Sequence, residues 1–133
     1  MRGSKWTWAP DPRKVKMPVH LKLKVELEMD ELIEDVLRKK HLKPLPKDKE
    51  TNYVVDLYTK RQRQYFYFCA KYRARSKNRM ADYFEIRFAR LEYTAGGYNL
   101  AYMRHTGKWW EIYRGLTLKN ALQTVASEVH FEP

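Results

Sequence analysis

Aromatic and cationic side chains that could bind a polyanion are concentrated between residues 65 and 88. The stretch "YFYFCAKYR" (65–73) alternates two kinds of ring, three more cations follow it, and "DYFEIRF" (82–88) repeats the alternation. Aromatic rings stack on nucleic-acid bases, while Lys and Arg contact phosphates with little geometric demand. These residue types predict a nucleic-acid site. Its stacking rings would be Tyr65, Tyr67 and Tyr83, and its phosphate contacts would be Lys71, Arg73, Arg75, Lys77, Arg79 and Arg87.

The distribution of charge supports the same interpretation. The chain has 133 residues and a formal net charge of +11, and residues 60–90 hold ten Lys or Arg against two acids. A field this concentrated attracts nucleic acid, an acidic protein or an anionic surface. A basic surface that only keeps the protein in solution is the alternative explanation.

Several other classes of function find little support in the sequence. Cys69 is the only cysteine, so no internal disulfide can form, and its apolar neighbours predict an inert buried thiol. The four histidines are scattered, which predicts no metal site, and no phosphate-binding loop or other cofactor motif is present. The longest apolar run, 65–70, is too short to cross a bilayer, so we expect no membrane partner and a cytoplasmic location.

The order of elements is predicted from periodicity and chain breakers. Residues 1–18, with three prolines, Trp6 and Trp8, are expected to form a basic tail; their first four, "MRGS", are typical of an expression vector. Residues 19–133 are expected to form one domain. Apolar residues at three- and four-residue steps predict a helix from Val25. Six acids near its start and four basic residues at its end would complement the helix dipole.

The remainder reads as a sheet followed by a helix. With a period of two, Phe66 and Phe68 would face a core, with Tyr72 on the same side, while Tyr65 and Tyr67 would face water. In the strand that begins with "DYFEIRF", the alternation slips, which predicts a bulge near Ala89–Arg90. Gly96-Gly97 predicts a tight turn. Thr117 would cap a last helix. The predicted fold is therefore α+β: an N-terminal helix, an antiparallel meander of four or five strands and a C-terminal helix, with the helices on one sheet face.

The stretch "IRFARLEYTAGGYNLAYMRHTGKWWEIYRGLTLKNAL" (86–122) resembles a family of small bacterial α+β proteins that carry a domain of unknown function. The shared pattern falls on Arg90, Tyr93, Tyr98, Leu100, Tyr102, Arg104, Trp110 and Tyr113. The resemblance extends over about residues 52–133 and implies the fold but no activity. A weaker likeness, centred on "YRGLTLKNALQTV", is to single-strand-binding proteins of the transcription-coactivator and Whirly type.

Three functions remain open at this point. The first is nucleic-acid binding by the sheet face and the basic 71–79 segment, the last part of which is expected to be a mobile loop. The second is a non-enzymatic assembly subunit that binds a protein partner or itself, since Tyr, Trp, Met and Arg are common at interfaces. The third is a small metal-free ribonuclease in which His105, beside Arg104, acts as an acid or base.

Overall fold

The computed structural model of the protein describes residues 15–133. The sequence predictions for Trp6, Trp8 and the first four residues lie outside these described residues. Met17, near the end of the segment predicted as a tail, is buried in the core with an exposed fraction of 3%.

The first helical segment is longer than the sequence pattern predicted. Helix α1 (Val19–Leu32) continues through a π-helical turn (Ile33–Leu37) into α2 (Arg38–His41). One face is buried at four-residue steps. Because α1 begins at Val19, its first turn contains no acid, and the dipole explanation of the acidic cluster is wrong. The basic last turn of α2 is confirmed.

Five antiparallel strands form one sheet in chain order. They are β1 (Tyr53–Gln62), β2 (Tyr65–Arg73), β3 (Tyr83–Thr94), β4 (Gly97–Met103) and β5 (Trp109–Leu116). Such a meander needs only short connections between neighbouring strands. The predicted α+β fold, with a helix before and after a five-stranded meander, is confirmed.

The two sheet faces have different coverings. Phe66, Phe68 and Leu100 join one core with buried residues of α1 and with those of α3 (Leu118–Ser127). Tyr67 and Cys69 are also buried but lie outside that core, as expected for their alternate positions on β2. The side that no helix of residues 15–133 covers is called the open face. It carries Tyr58, Lys60, Tyr65, Tyr67, Cys69, Lys71, Arg73, Tyr83, Glu85, Arg87, Arg90, Glu92, Ala101 and Trp109.

A bulge in β3 places two arginines on the open face. Phe68 pairs with Ala89, but the next residue, Cys69, pairs with Arg87, so Phe88 is the extra residue. The bulge was predicted near Ala89–Arg90 and lies one residue earlier. An extra residue shifts the alternation by one position. Arg87 and Arg90, which regular alternation would put on opposite faces, therefore both lie on the open face.

Helix α3 begins as predicted and ends earlier than its apolar pattern suggested. The Thr117 side chain accepts a hydrogen bond of 3.1 Å from the Asn120 amide, which is the predicted N-cap. The helix ends at Ser127, and Val129 is 70% exposed instead of extending the buried stripe. Phe131, in the 3₁₀ turn that follows, fills the core in its place.

The turn between β3 and β4 depends on one of its two glycines. Gly97 has a φ of +122°, and a Cβ there would lie 2.7 Å from the Leu116 carbonyl oxygen. Gly96 has no positive φ and no atom within 4 Å of its added Cβ. We expect Gly97→Ala to lower the free energy of unfolding by about 2 kcal/mol or more, and Gly96→Ala by less than about 0.5 kcal/mol. Urea denaturation of the two variants tests this; equal effects would contradict it.

Candidate functional site

Four cationic side chains line one cavity beside the ends of β1 and β2. The cavity measures about 330 Å³, and Lys49, Arg73, Arg75 and Arg79 contribute its charges. Its remaining lining comes from Leu45, Tyr53 and Ala74, so no acid of residues 15–133 is among the lining residues. We call it the cationic pocket. Cations gathered in a concave site reinforce one another's field, which favours an anionic ligand.

The protein holds Arg75 in this pocket by several contacts. Its backbone amide donates to Asn52 Oδ1 at 3.0 Å, and its guanidinium donates to the Pro46 carbonyl at 3.4 Å. The guanidinium carbon also lies 5.4 Å from the centre of the Tyr53 ring. Arg75 is therefore in contact with three residues outside the segment that was predicted to be a mobile loop. A positioned guanidinium suits a phosphate, because less side-chain freedom is lost on binding.

One acid beside the pocket positions two of its arginines. Arg79 Nε lies 2.9 Å and Arg73 Nη1 lies 3.7 Å from the carboxylate of Asp82. The hydrogen bond from Arg79, with the charge of Arg73, lowers the pKa of Asp82. Asp82 is therefore ionised at neutral pH and offsets one of the four positive charges. Asp48 is a second acid near the pocket: a hydrogen bond from a nearby backbone amide lowers its pKa most, and the charge of Arg75 contributes, so an excess of two positive charges remains.

Tyr83 provides an exposed ring next to these cations. It is 48% exposed and pairs across the sheet with Arg73. Lys71 Nζ lies 4.6 Å and Arg73 Cζ lies 5.1 Å from its ring centre. A second cavity of about 390 Å³ borders Tyr83, Lys71 and Tyr58. An exposed ring, cationic side chains and a cavity that Asp56 and Glu85 also line thus lie together at this end of β2 and β3.

The other two predicted stacking rings belong to a packed layer of side chains further along the open face, in which Tyr65 is partly exposed. Tyr67 is only 7% exposed, because Arg87 Cζ lies 4.5 Å from its ring centre and Trp109 packs at 5.8 Å. Arg90 lies 5.0 Å from both the Tyr65 and Trp109 rings. The prediction that Tyr67 faces water is therefore wrong. The ring does lie on the helix-free face, but neighbouring side chains of that face cover it.

Glu85 also reduces the positive charge of the open face. Its carboxylate lies 2.7 Å from Lys60 Nζ and 3.7 Å from Arg87 Nε, and the Tyr58 hydroxyl donates to it at 2.5 Å. The bonds from Lys60 and Tyr58 lower the pKa of Glu85. Arg87, which was predicted to contact phosphate, is therefore already engaged by a ring and a carboxylate.

The structure divides the predicted site residues into two groups. Arg73, Arg75 and Arg79 line the cationic pocket with Tyr83 and Lys71 beside it, and Lys77 is exposed in the same loop. The second group consists of Tyr65, Tyr67 and Arg87. Arg73 lies six positions after Tyr67 on β2, which is roughly 20 Å along a strand.

Sequence reasoning missed two residues that the structure adds. Lys49 lies in the segment "KPLPKDKE" (43–50), whose prolines indicate only that the first helix ends, and nothing in its sequence context indicates that it approaches Arg75. Arg90 was counted among the cations but was not assigned to the sheet face. The slip in alternation was the available signal, because a bulge before Arg90 moves it to the side of Arg87.

The remaining chemical predictions concern Cys69, metals and membranes. Cys69 is buried, and burial raises the pKa of its thiol to about 11, which makes the thiolate scarce at neutral pH. Within residues 15–133, no cluster of three or more His, Cys, Asp or Glu side chains could hold a metal ion. None of the helices in this part of the chain is long and apolar enough to cross a membrane.

Fold and site together define an α+β protein with a cationic pocket at one end of a helix-free sheet face. The chain belongs to the family described as "Domain of unknown function (DUF3024)", whose model matches residues 17–131. The match includes α1 and so begins well before the stretch on which the sequence resemblance depended. Comparisons with curated proteins and with solved structures gave no match.

Proposed function

We propose that the protein binds nucleic acid, with the cationic pocket as its phosphate site. The observation that carries this proposal is the convergence of Lys49, Arg73, Arg75 and Arg79 on one cavity without an acid in its lining. Guanidinium groups pair with phosphate oxygens through two parallel hydrogen bonds, and lysine adds a point charge. The pocket therefore suits a phosphodiester backbone.

Tyr83 is the ring that would recognise a base. Its exposed surface borders a cavity, and Tyr83 pairs across β2 and β3 with Arg73, one of the pocket cations. Base stacking on an aromatic ring contributes about 1–3 kcal/mol and needs an unpaired base. The proposal therefore favours single-stranded or unpaired regions over a regular duplex.

The protein-partner and ribonuclease functions fit the site less well than nucleic-acid binding. A protein partner on the open face would meet acids such as Glu85 beside the cations, so it would need both signs of charge. A ribonuclease that depends on His105 would need substrate in the β4–β5 turn, where that exposed side chain lies. The ribonuclease makes no direct use of the convergent cations of the pocket, and a protein partner would use them only if it were acidic.

Fluorescence anisotropy with single-stranded and duplex oligonucleotides tests the proposal. Four phosphate contacts predict a log–log salt slope of about −3 for single strands. Tyr83→Ala should weaken single-strand binding about 5- to 100-fold with little change in slope, and Tyr83→Phe should keep most of the affinity. No measurable binding at low salt, or tight binding that salt does not weaken, would contradict the proposal.

A further inference from the structure

The second cavity, beside Tyr83, differs in charge from the cationic pocket. Its lining includes two acids, Asp56 and Glu85, and one cation, Lys71. Lys71 pairs across the sheet with Asp56 on β1 and with Glu85 on β3, so the three side chains form one row over three neighbouring strands. We call this the mixed row. Because two carboxylates repel a phosphate, this cavity does not suit the nucleic-acid backbone.

Each carboxylate of the mixed row has one oxygen that can still accept a hydrogen bond from a ligand. Asp56 Oδ1 accepts from the Leu57 amide at 2.9 Å, and Glu85 Oε1 accepts from the Tyr58 hydroxyl. The cation nearest to each carboxylate lies against the same oxygen, at 2.9 and 2.7 Å. Within residues 15–133, neither Asp56 Oδ2 nor Glu85 Oε2 accepts a hydrogen bond. These two oxygens are therefore available as acceptors.

We infer that this cavity contacts the hydrogen-bonding edge of a nucleobase and selects bases with an amino group (adenine, guanine and cytosine) over uracil and thymine. The inference rests on the proposed function, because it concerns the base that stacks on Tyr83. The two N–H bonds of an amino group can be donated to two carboxylates, which accept but cannot donate. Uracil and thymine have one N–H between two carbonyl oxygens, so a carboxylate of the mixed row would face an oxygen.

Lys71 adds affinity without taking part in this selection. Its Nζ lies 4.6 Å from the centre of the Tyr83 ring, where it can donate to a base that stacks there. Every base has a ring nitrogen or a carbonyl oxygen that accepts such a bond. The choice between bases therefore depends on Asp56 and Glu85, which oppose an acceptor and bind a donor.

Oligonucleotides of about ten deoxycytidines or ten deoxyuridines, carrying the same fluorophore, test the inference by anisotropy near neutral pH. They share one backbone and one charge, and their bases differ only in the order of donors and acceptors on the pyrimidine edge. We expect wild type to bind the cytidine oligonucleotide about 5- to 100-fold more tightly, which is the usual range for a well-formed contact to a base edge. The salt slope should be the same for both, because the phosphate contacts do not change.

Two isosteric variants, Asp56→Asn and Glu85→Gln, test the role of the acids. Because one oxygen of each carboxylate is bonded to a protein donor, the amide oxygen takes that position and the amide nitrogen replaces the other oxygen. The new N–H donates to uracil, so each variant should lower the preference for cytidine at least several-fold. Both affinities are measured on one preparation, so any loss of folded protein cancels in their ratio. Glu31→Gln, at an exposed acid of α1 outside the cavity, removes the same charge and should keep the wild-type ratio.

The outcomes distinguish this inference from the proposed function. Equal binding of the two oligonucleotides by wild type, or a preference for uridine, overturns the inference, whereas salt-dependent binding of both would still support the cationic pocket. A cytidine preference that persists in both acid variants also overturns it, because another part of the protein would then select the base. If neither oligonucleotide binds, the inference and the proposed function are both overturned.

Discussion

Replacing Lys49, Arg75 and Arg79 together with Gln is expected to lower affinity for a single-stranded oligonucleotide about 10- to 100-fold at low salt. The log–log salt slope should also become shallower by about two, because binding through fewer phosphate contacts releases fewer counterions from the nucleic acid. These residues converge on one cavity, so their removal takes away most of its positive charge. Anisotropy titrations at several salt concentrations measure both quantities.

A matched control variant distinguishes binding at the pocket from binding through the overall positive charge of the protein. Lys39, Lys43 and Lys119 are exposed and do not line the pocket, and changing them to Gln removes the same net charge. This control variant should keep a slope within about half a unit of wild type. If both triple variants lose the same affinity and slope, the protein binds through its overall charge and the pocket is not a site.

The second large effect is expected for Tyr67→Ala, and it concerns stability. Tyr67 is packed between Arg87 and Trp109, so truncation leaves a cavity within the aromatic layer. Truncating a buried ring to Ala typically costs about 3–5 kcal/mol, and we expect a loss of about 3 kcal/mol because this ring lies near the surface. Tyr83→Ala, on the same face but half exposed, should cost less than about 1 kcal/mol.

Urea denaturation and oligonucleotide binding distinguish the two roles of these rings. Tyr67→Ala should lose stability yet bind with near wild-type affinity at temperatures where it remains folded. Tyr83→Ala should show the reverse. A Tyr67→Ala variant that folds as well as wild type but no longer binds single strands would restore Tyr67 as a stacking surface and contradict the layer described here.

The architecture was predictable because the strands carry a local signal. The alternation of Phe with Tyr and charged residues in β2 placed Phe66 and Phe68 in the core, and the chain breakers marked the strand ends. Thr117 likewise signalled the start of α3. Each of these signals depends on residues within a few positions of one another, which is the range that sequence patterns describe well.

The start of α1 was missed because its first turns do not follow a single apolar stripe. Val19 and Leu23 lie on the exposed side, so the three- and four-residue pattern of the core first becomes visible at Val25. The error changed the interpretation of the acids. Counted from Val19, they occupy the middle and end of the helix, where the dipole does not favour them.

The exposure of the tyrosines could not be predicted from their own strand. Alternation gives the face on which Tyr67 lies, but its covering comes from Arg87 and from Trp109, which is 42 positions away in the sequence. The cationic pocket could not be predicted for the same reason, because Lys49 and Arg79 line one cavity only after β1 and β2 have paired. Such sites depend on long-range contacts that no local pattern contains.

Backbone amide chemical shifts, followed while an unlabelled single-stranded oligonucleotide is added to the labelled protein, show whether the cationic pocket binds nucleic acid. We expect the largest changes on residues 45–53 and 71–83, which surround the cationic pocket, and little change in α1 and α3. Changes confined to the helices, changes spread evenly over every basic residue, or no change at low salt would contradict it.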